Sequence, residues 1–475
     1  MDENGLPLLP LVLDGVPDGL RYVLAQEGVP FCDRGGGPPR GRFVLVDSSS
    51  ATRRTLSPGE LPIDIARLRE MSQGDPLAAI VDRRTARVQW TIGPWQLRGR
   101  LPHADRRTLR REVVEFLRSR VERLGGVWLR LAAFPFPYRS VLNWRVDCHE
   151  PEECGVDVPL ATAVSRFVSP AVATDEDALA SLLGRDLGVF ADATFASVNE
   201  RSAALAQAIK ALASAGIVCR GAASTQSSFD PRFSTILERL GVEHLTGAVG
   251  YDEMPWFSPT GGLLHVPVHP ISLSMFLRAA RQGSTARWSP SQSRRPSRGE
   301  TEAAETASDY FGRLLESRCR SGEPALLWSR ACDLAEHPDV LAALARRLAE
   351  LPALWPASLT DLAVWWRARA AARVSVTRED GRLAVVCRHL PSDRVLAIEY
   401  CRGDHAAVLP LERERMTFSP ESLVFENRRP RPLVRPVRLD PAQRFRPAGK
   451  IASDEKPVVH PIKAWARRQI RRLWG

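Results

Sequence analysis

The chain has 475 residues, of which 44% are hydrophobic, and 66 Lys or Arg against 55 Asp or Glu give a net charge of +11. That length holds two or three domains with proper cores, and no run reaches the roughly 18 apolar residues of a membrane-crossing helix. The eight cysteines form no Cys-x-x-Cys pair, which excludes a zinc ribbon or a disulfide scaffold.

The opening Met1-Asp2-Glu3-Asn4 lacks the basic and apolar regions of a signal peptide, so a cytoplasmic location is expected. Residues 1–130 are expected to form an N-terminal α/β domain. Residues 9–13 suit a strand, 19–26 a helix, and 43–47 a strand that ends in Asp47. Residues 78–81 and 88–92 look like a hairpin. Residues 103–124 suit a basic helix with Leu109, Val113, Phe116 and Val121 near one face. Asp14 and Asp47 stand at strand ends, where acids more often shape turns than bind ligands.

Residues 134–150 read FPFPYRSVLNWRVDCHE. An apolar strand here ends in acid, thiol, imidazole and acid, the position where α/β barrels place their chemistry. Asp147 and His149 are two apart on a strand and so share a face, while Cys148 faces away from His149. Residues 188–195, GVFADATF, read as a buried strand. A helix follows over 203–215 with Leu205, Ile209 and Leu212 on one side, then Gly216 and a strand beginning at 217–219. The same order recurs through 233–240, Gly241 and 242–245, which argues for βα units and a largely parallel sheet. There is no Gly-x-Ser-x-Gly elbow, P-loop or Gly-x-Gly-x-x-Gly in a strand-to-helix setting.

The runs FPYRSVLNWRVDCHE, GVFADATFASVNERSAALAQAIKALASAGIVC, GGLLHVPVHPISL and EHPDVLAALARRLAELPALWPASLTDLAVWWRAR occur in that order over about residues 135–370. Together they resemble the NodB-homology fold of polysaccharide deacetylases, carbohydrate esterase family 4. The resemblance implies α/β architecture with a distorted (β/α) barrel of NodB type over 131–356. It also implies a divalent metal, usually zinc, that activates water against the acetamide of an N-acetylated sugar. On the matched positions Asp147 would be the catalytic base and His149 a metal ligand. His269, four residues after His265, would be the second histidine facing the cleft. Arg145, Glu150 and Trp256 would touch the carbohydrate.

The chain departs from the family where its other histidines belong. Residues 219–226 read CRGAASTQ and residues 326–330 read LLWSR, neither with a histidine. A catalytic zinc needs about three protein ligands and an open position, and Asp147 with His149 supply at most two. Two functions follow as expectations. One is a metal-dependent hydrolase of carbohydrate N-acetyl groups. The other is a deacetylase-like pseudoenzyme that binds a glycan or a partner in polysaccharide metabolism.

Residues 282–308 are rich in Ser, Arg, Pro and Glu and are expected to be a disordered insertion. Residues 357–426 include alternating apolar and polar stretches that suit a small C-terminal β module. Residues 427–475 hold 14 Lys or Arg and 3 Asp or Glu, which accounts for the whole net charge. Residues 462–474 suit a terminal amphipathic helix with Trp465 on its apolar side and Arg467, Arg468, Arg471 and Arg472 opposite. Such a helix suits an anionic membrane surface or an acidic partner. No nucleic-acid reading motif accompanies the charge, so nucleic acid is not expected as a partner.

Overall fold

A nine-residue strand buried along its whole length organises the molecule. The computed structural model describes residues 6–34, 41–47, 56–66, 68, 85–102, 105–156, 158, 163–191, 198–224, 231–247, 254–258, 261–282, 297–428 and 433–439. Within these, residues up to Arg438 belong to one compact unit. Of the basic tail, residues 427, 428 and 433–439 are described, whereas Trp465, Arg467, Arg468, Arg471 and Arg472 lie outside the described residues.

The first part of the unit contains a four-stranded parallel sheet of β1 (Leu11–Asp14), β2 (Phe31–Asp33), β3 (Phe43–Val46) and β4 (Leu61–Asp64), in the order β2-β1-β3-β4. Helix α1 (Asp18–Glu27) connects β1 to β2. Asp14 is held by Arg34 at 3.2 Å, so this strand-end acid sits in an ion pair. The hairpin is β5 (Thr85–Ile92) with β6 (Trp95–Pro102), one step later than the pattern suggested, and residues 78–81 lie outside the described residues. Helix α2 (Arg106–Arg123) follows, and its buried Val113, Leu117 and Val121 repeat at the helical interval.

β7 (Trp128–Leu131) leads into β8 (Ser140–Cys148). β8 belongs to a curled half-barrel sheet with β9 (Val164–Val168), β10 (Leu187–Ala191), β11 (Gly221–Ser224), β12 (His244–Thr246), β13 (Trp256–Phe257), β14 (Leu264–Val266), β15 (Ala325–Arg330) and β16 (Leu354–Pro356). The order is β13-β14-β12-β11-β10-β9-β8-β15, parallel throughout except for β13. The connections carry α3 (Val198–Ser214), α4 (Pro231–Arg239), α5 (Leu273–Gln282), α6 (Arg298–Ser321) and α7 (Pro338–Ala349), as a βα alternation requires. β11 starts at Gly221, so residues 217–219 are a connector and not the strand their apolarity suggested.

The stretch read as a disordered insertion is partly helical, since α6 starts at Arg298. Ser297 accepts from the Glu300 backbone, and Glu300 accepts from the Ser297 backbone, a reciprocal capping box. Ala303, Ala304 and Ala307 are buried beyond it. The polar composition concealed an amphipathic start.

Helix α8 (Leu359–Ala371) leads to two antiparallel sheets. One is β17 (Arg373–Glu379), β18 (Arg382–Arg388) and β21 (Arg415–Phe418). The other pairs β22 (Glu426–Asn427), β20 (His405–Pro410) and β19 (Ala397–Arg402) with β7. A strand from near residue 130 thus completes the C-terminal module, and Leu8 N–H donates to Val376 O at 2.7 Å. The beginning and end of the unit share sheets and one core.

Arg369 on α8 fastens these parts. It is 3% exposed, and its Nε donates to Ala132 O at 3.0 Å, Nη1 to Ala25 O at 3.3 Å, and Nη2 to Leu131 O at 3.1 Å and Gln26 O at 3.4 Å. Its guanidinium lies 4.7 Å from the Trp366 ring. Burial, with Arg130 adding to it, lowers its pKa to about 9. Gly28 ends α1 at φ 77°, and a Cβ there would meet Arg369 Nη2 at 2.1 Å and Leu131 O at 2.6 Å. Removing the guanidinium takes the donor from the carbonyls of three buried residues, Gln26, Leu131 and Ala132. Arg369→Met is therefore expected to lose about 3–5 kcal/mol in urea unfolding. The exposed-pair control Arg298→Met should stay within about 0.5 kcal/mol.

Candidate functional site

β8 has two buried faces of opposite character. Leu142, Trp144, Val146 and Cys148 enter the apolar core beneath the helices. The alternate positions Asn143, Arg145 and Asp147 are also buried, at 1%, 2% and 2% exposure. A strand period of two puts these three polar side chains on the other side of the half-barrel.

Arg145 and Asp147 form a bidentate ion pair. Nε donates to Oδ1 at 2.6 Å and Nη2 to Oδ2 at 2.9 Å. The guanidinium lies 5.7 Å from the Phe167 ring and 5.4 Å from the Phe190 ring. Both carboxylate oxygens are engaged, and aromatic rings flank the cation. This geometry suits a fixed structural pair.

His149 follows at the strand end with its ring edge-on to Phe190, centroids 5.0 Å apart. Its backbone N–H donates to Glu153 Oε2 at 2.5 Å. Glu150 caps the 3-10 turn Pro151–Gly155 through a box with Glu153. Cys148 and Cys154 are both buried, and their thiols hydrogen-bond to each other. That bond, with burial, pushes the Cys148 thiol well above its ordinary value, so it is no ready nucleophile.

The other sequence-derived candidates lie elsewhere. Trp256 is 4% exposed and stacks on His265, centroids 4.0 Å apart and planes 7° apart. The two residues are register partners across β13 and β14. Burial lowers the His265 pKa to about 3, with Arg106 adding to the effect. His269 Nε2 lies 2.9 Å from the Tyr310 hydroxyl, and its backbone N–H donates to Leu326 O at 2.6 Å. Leu326 is registered opposite Asn143, six residues before His149. At a strand's rise this separates the two histidines by roughly 20 Å along the sheet, so they do not meet. Among the described residues no group of three or more His, Cys, Asp or Glu is placed to hold a metal ion. The described donors, taken alone, fall short of the three protein ligands that zinc needs.

The structure also assembles a polar cluster that the sequence pattern does not reveal. Asn143 Nδ2 donates to Ser165 Oγ at 3.0 Å and to Ala357 O at 2.9 Å, where β8 passes from β16 to β9. Ser165 Oγ and Thr360 Oγ1 each donate to Asp186, both at 2.5 Å. Thr360 Oγ1 lies 3.5 Å from His244 Nε2. The His244 ring lies over Gly221, where a Cβ would stand 2.3 Å from Cε1. Gly221 and His244 are register partners, a fact the linear sequence does not carry.

Likeness to known proteins is confined to solved structures. No family model matches the chain, and no curated protein matches it. Among solved structures, one described as a polysaccharide deacetylase from Mycobacterium smegmatis is similar at TM-score 0.38 and 16% identity, over 52% of this chain and 98% of that one. A second, from Pseudomonas aeruginosa PAO1, is similar at TM-score 0.38 and 13% identity, over 50% and 94%. A family 4 carbohydrate esterase from Streptomyces lividans, in complex with acetate, is similar at TM-score 0.27 and 9% identity, over 46% and 91%.

Buried neutral histidines make stability depend on pH. Burial, partly offset by Asp186 and Glu243, lowers the His244 pKa to about 4 from 6.5. The unfolded chain therefore takes up this proton first as pH falls. The stabilisation is complete above about pH 6.5 and is lost toward pH 4, at up to about 1.4 kcal/mol per pH unit per histidine. Urea unfolding between pH 6.5 and 5 should show this slope, and His244→Asn should flatten it in part, His265 and His337, both also lowered by burial, supplying the rest.

Proposed function

We propose that the protein is a polysaccharide deacetylase-like protein that binds carbohydrate without hydrolysing it. The observation that carries this reading is the Arg145–Asp147 pair. The carboxylate that the sequence resemblance assigns as base is 2% exposed and has both oxygens on one guanidinium. A base must reach a water or a substrate proton, and one engaged this way reaches neither. The missing histidines at 219–226 and 326–330 point the same way. Glycan contact would fall at the half-barrel's C-terminal edge, around His149 and Glu150. The basic tail would bring the protein to an anionic membrane surface from the cytoplasmic side.

A second reading, a metal-dependent deacetylase, is favoured by Asp147 and His149 standing two residues apart at one strand end. The two separate in one experiment. Purified protein is assayed for zinc by elemental analysis and for acetate release from N-acetylated chito-oligosaccharide, beside Asp147→Asn and His149→Ala. The binding reading expects no acetate release, zinc well below one per chain, and Asp147→Asn unfolding at lower urea by about 3 kcal/mol through its orphaned arginine. Near-stoichiometric zinc that disappears in His149→Ala, together with acetate release, would establish the hydrolase.

A further inference from the structure

A second cleft, of about 1200 Å³, is lined by α2, β7, the end of α6, β19, β20 and residues 433–438. Neither Asp147 nor His149 lines it, although His269 and its partner Tyr310 do. Among the described residues its lining holds twelve arginines against seven carboxylates. Three of those carboxylates are the buried anchors of two arginine clusters, one on Glu27 and Glu399 and one on Glu323. Glu27 pairs with Arg110 and Arg130. Arg130 also reaches Glu399 at 2.7 Å, and Arg428 stands 4.0 Å from the same glutamate. Glu323 takes Arg107, Arg318 and, at 3.2 Å, Arg111. Six guanidiniums thus share three carboxylates.

The excess is desolvated. Arg428 is 8% exposed, and its Nε and Nη1 have no hydrogen-bond partner among the described residues. Arg107 Nε is in the same condition. Buried cations in excess are unfavourable, and an anion seated in the cleft offsets that charge. A guanidinium edge matches the paired oxygens of a phosphoryl group, and the surplus of arginines over carboxylates in the described lining suits an anionic ligand. Arg111 and Arg139, with side chains 41% and 40% exposed, mark the open side. Phe116 and Tyr138 add aromatic surface to the lining for an organic moiety. The cations converge in a concavity, which suits a small molecule better than a flat polymer.

We propose that this cleft binds a phosphate- or diphosphate-bearing small molecule, with Arg428, Arg107 and Arg111 receiving the phosphoryl oxygens.

Titration calorimetry of the full chain with inorganic pyrophosphate, at fixed low ionic strength, tests it. Wild type should bind one pyrophosphate saturably, and Arg428→Gln should weaken binding about tenfold or more. A nucleoside diphosphate should compete, and sulfate at equal ionic strength should compete less. Residues 440–475 are common to every variant, so multiple weak sites that persist unchanged in Arg428→Gln would overturn the proposal. Absence of saturable binding to wild type would overturn it too. Should Arg428→Gln fail to melt cooperatively, Arg111→Gln at the open side replaces it. Wild-type affinity in that folded variant and in Arg428→Lys together would also refute the assignment.

Discussion

The Arg369 guanidinium is the contact on which the arrangement of the unit depends. It stands at the end of the helix that leaves the half-barrel, and it binds carbonyls of α1 and of the segment after β7. Those carbonyls belong to stretches more than two hundred residues earlier in the chain. A buried cation without a carboxylate is unfavourable unless its donors are taken up, and here backbone acceptors do so. Gly28 is the complement, because any side chain there would occupy the guanidinium's place. The N-terminal sheet, the C-terminal β sheets and the half-barrel are held together at this point.

The half-barrel follows the same rule in how it places polarity. One face of β8 is apolar and covered by helices. The other carries Asn143, Arg145 and Asp147 into the buried interior, where each finds its partner. Asn143 joins Ser165 and Asp186 at the fork in the sheet, and Asp147 joins Arg145 farther along. Buried polar groups that are fully paired tend to specify one packing. In that view the acid at the strand end helps to fix the barrel wall, a role that competes with work as a base.

Charge is organised differently in the second cleft. There the arginines outnumber the carboxylates, and Arg428 keeps donors unpaired in a buried position. Nine of the cleft's arginines come from the neutral body of the chain, and Arg428, Arg435 and Arg438 come from the start of the basic tail. Residues 1–426 contain equal numbers of basic and acidic side chains, so composition alone conceals the concentration.

Much of the fold was legible in the sequence, because local chemistry decides it. The apolar spacing in α2, the recurring helices ended by Gly216 and Gly241, and the alternation in β18 and β19 all follow from side-chain period and backbone preference. The capping box at Ser297 was equally local, and only the polar composition around it hid the helix. The candidate site was legible as residue types but not as contacts. Asp147 and His149 were marked by their place at a strand end. The partnering of Asp147 with Arg145, the stacking of Trp256 on His265, and the wide separation of His269 from His149 depend on register and rotamer. The Arg369 anchor and the shared carboxylates of the second cleft join residues hundreds of positions apart. Pairing across such distances is set by packing of the whole chain, which no local pattern encodes.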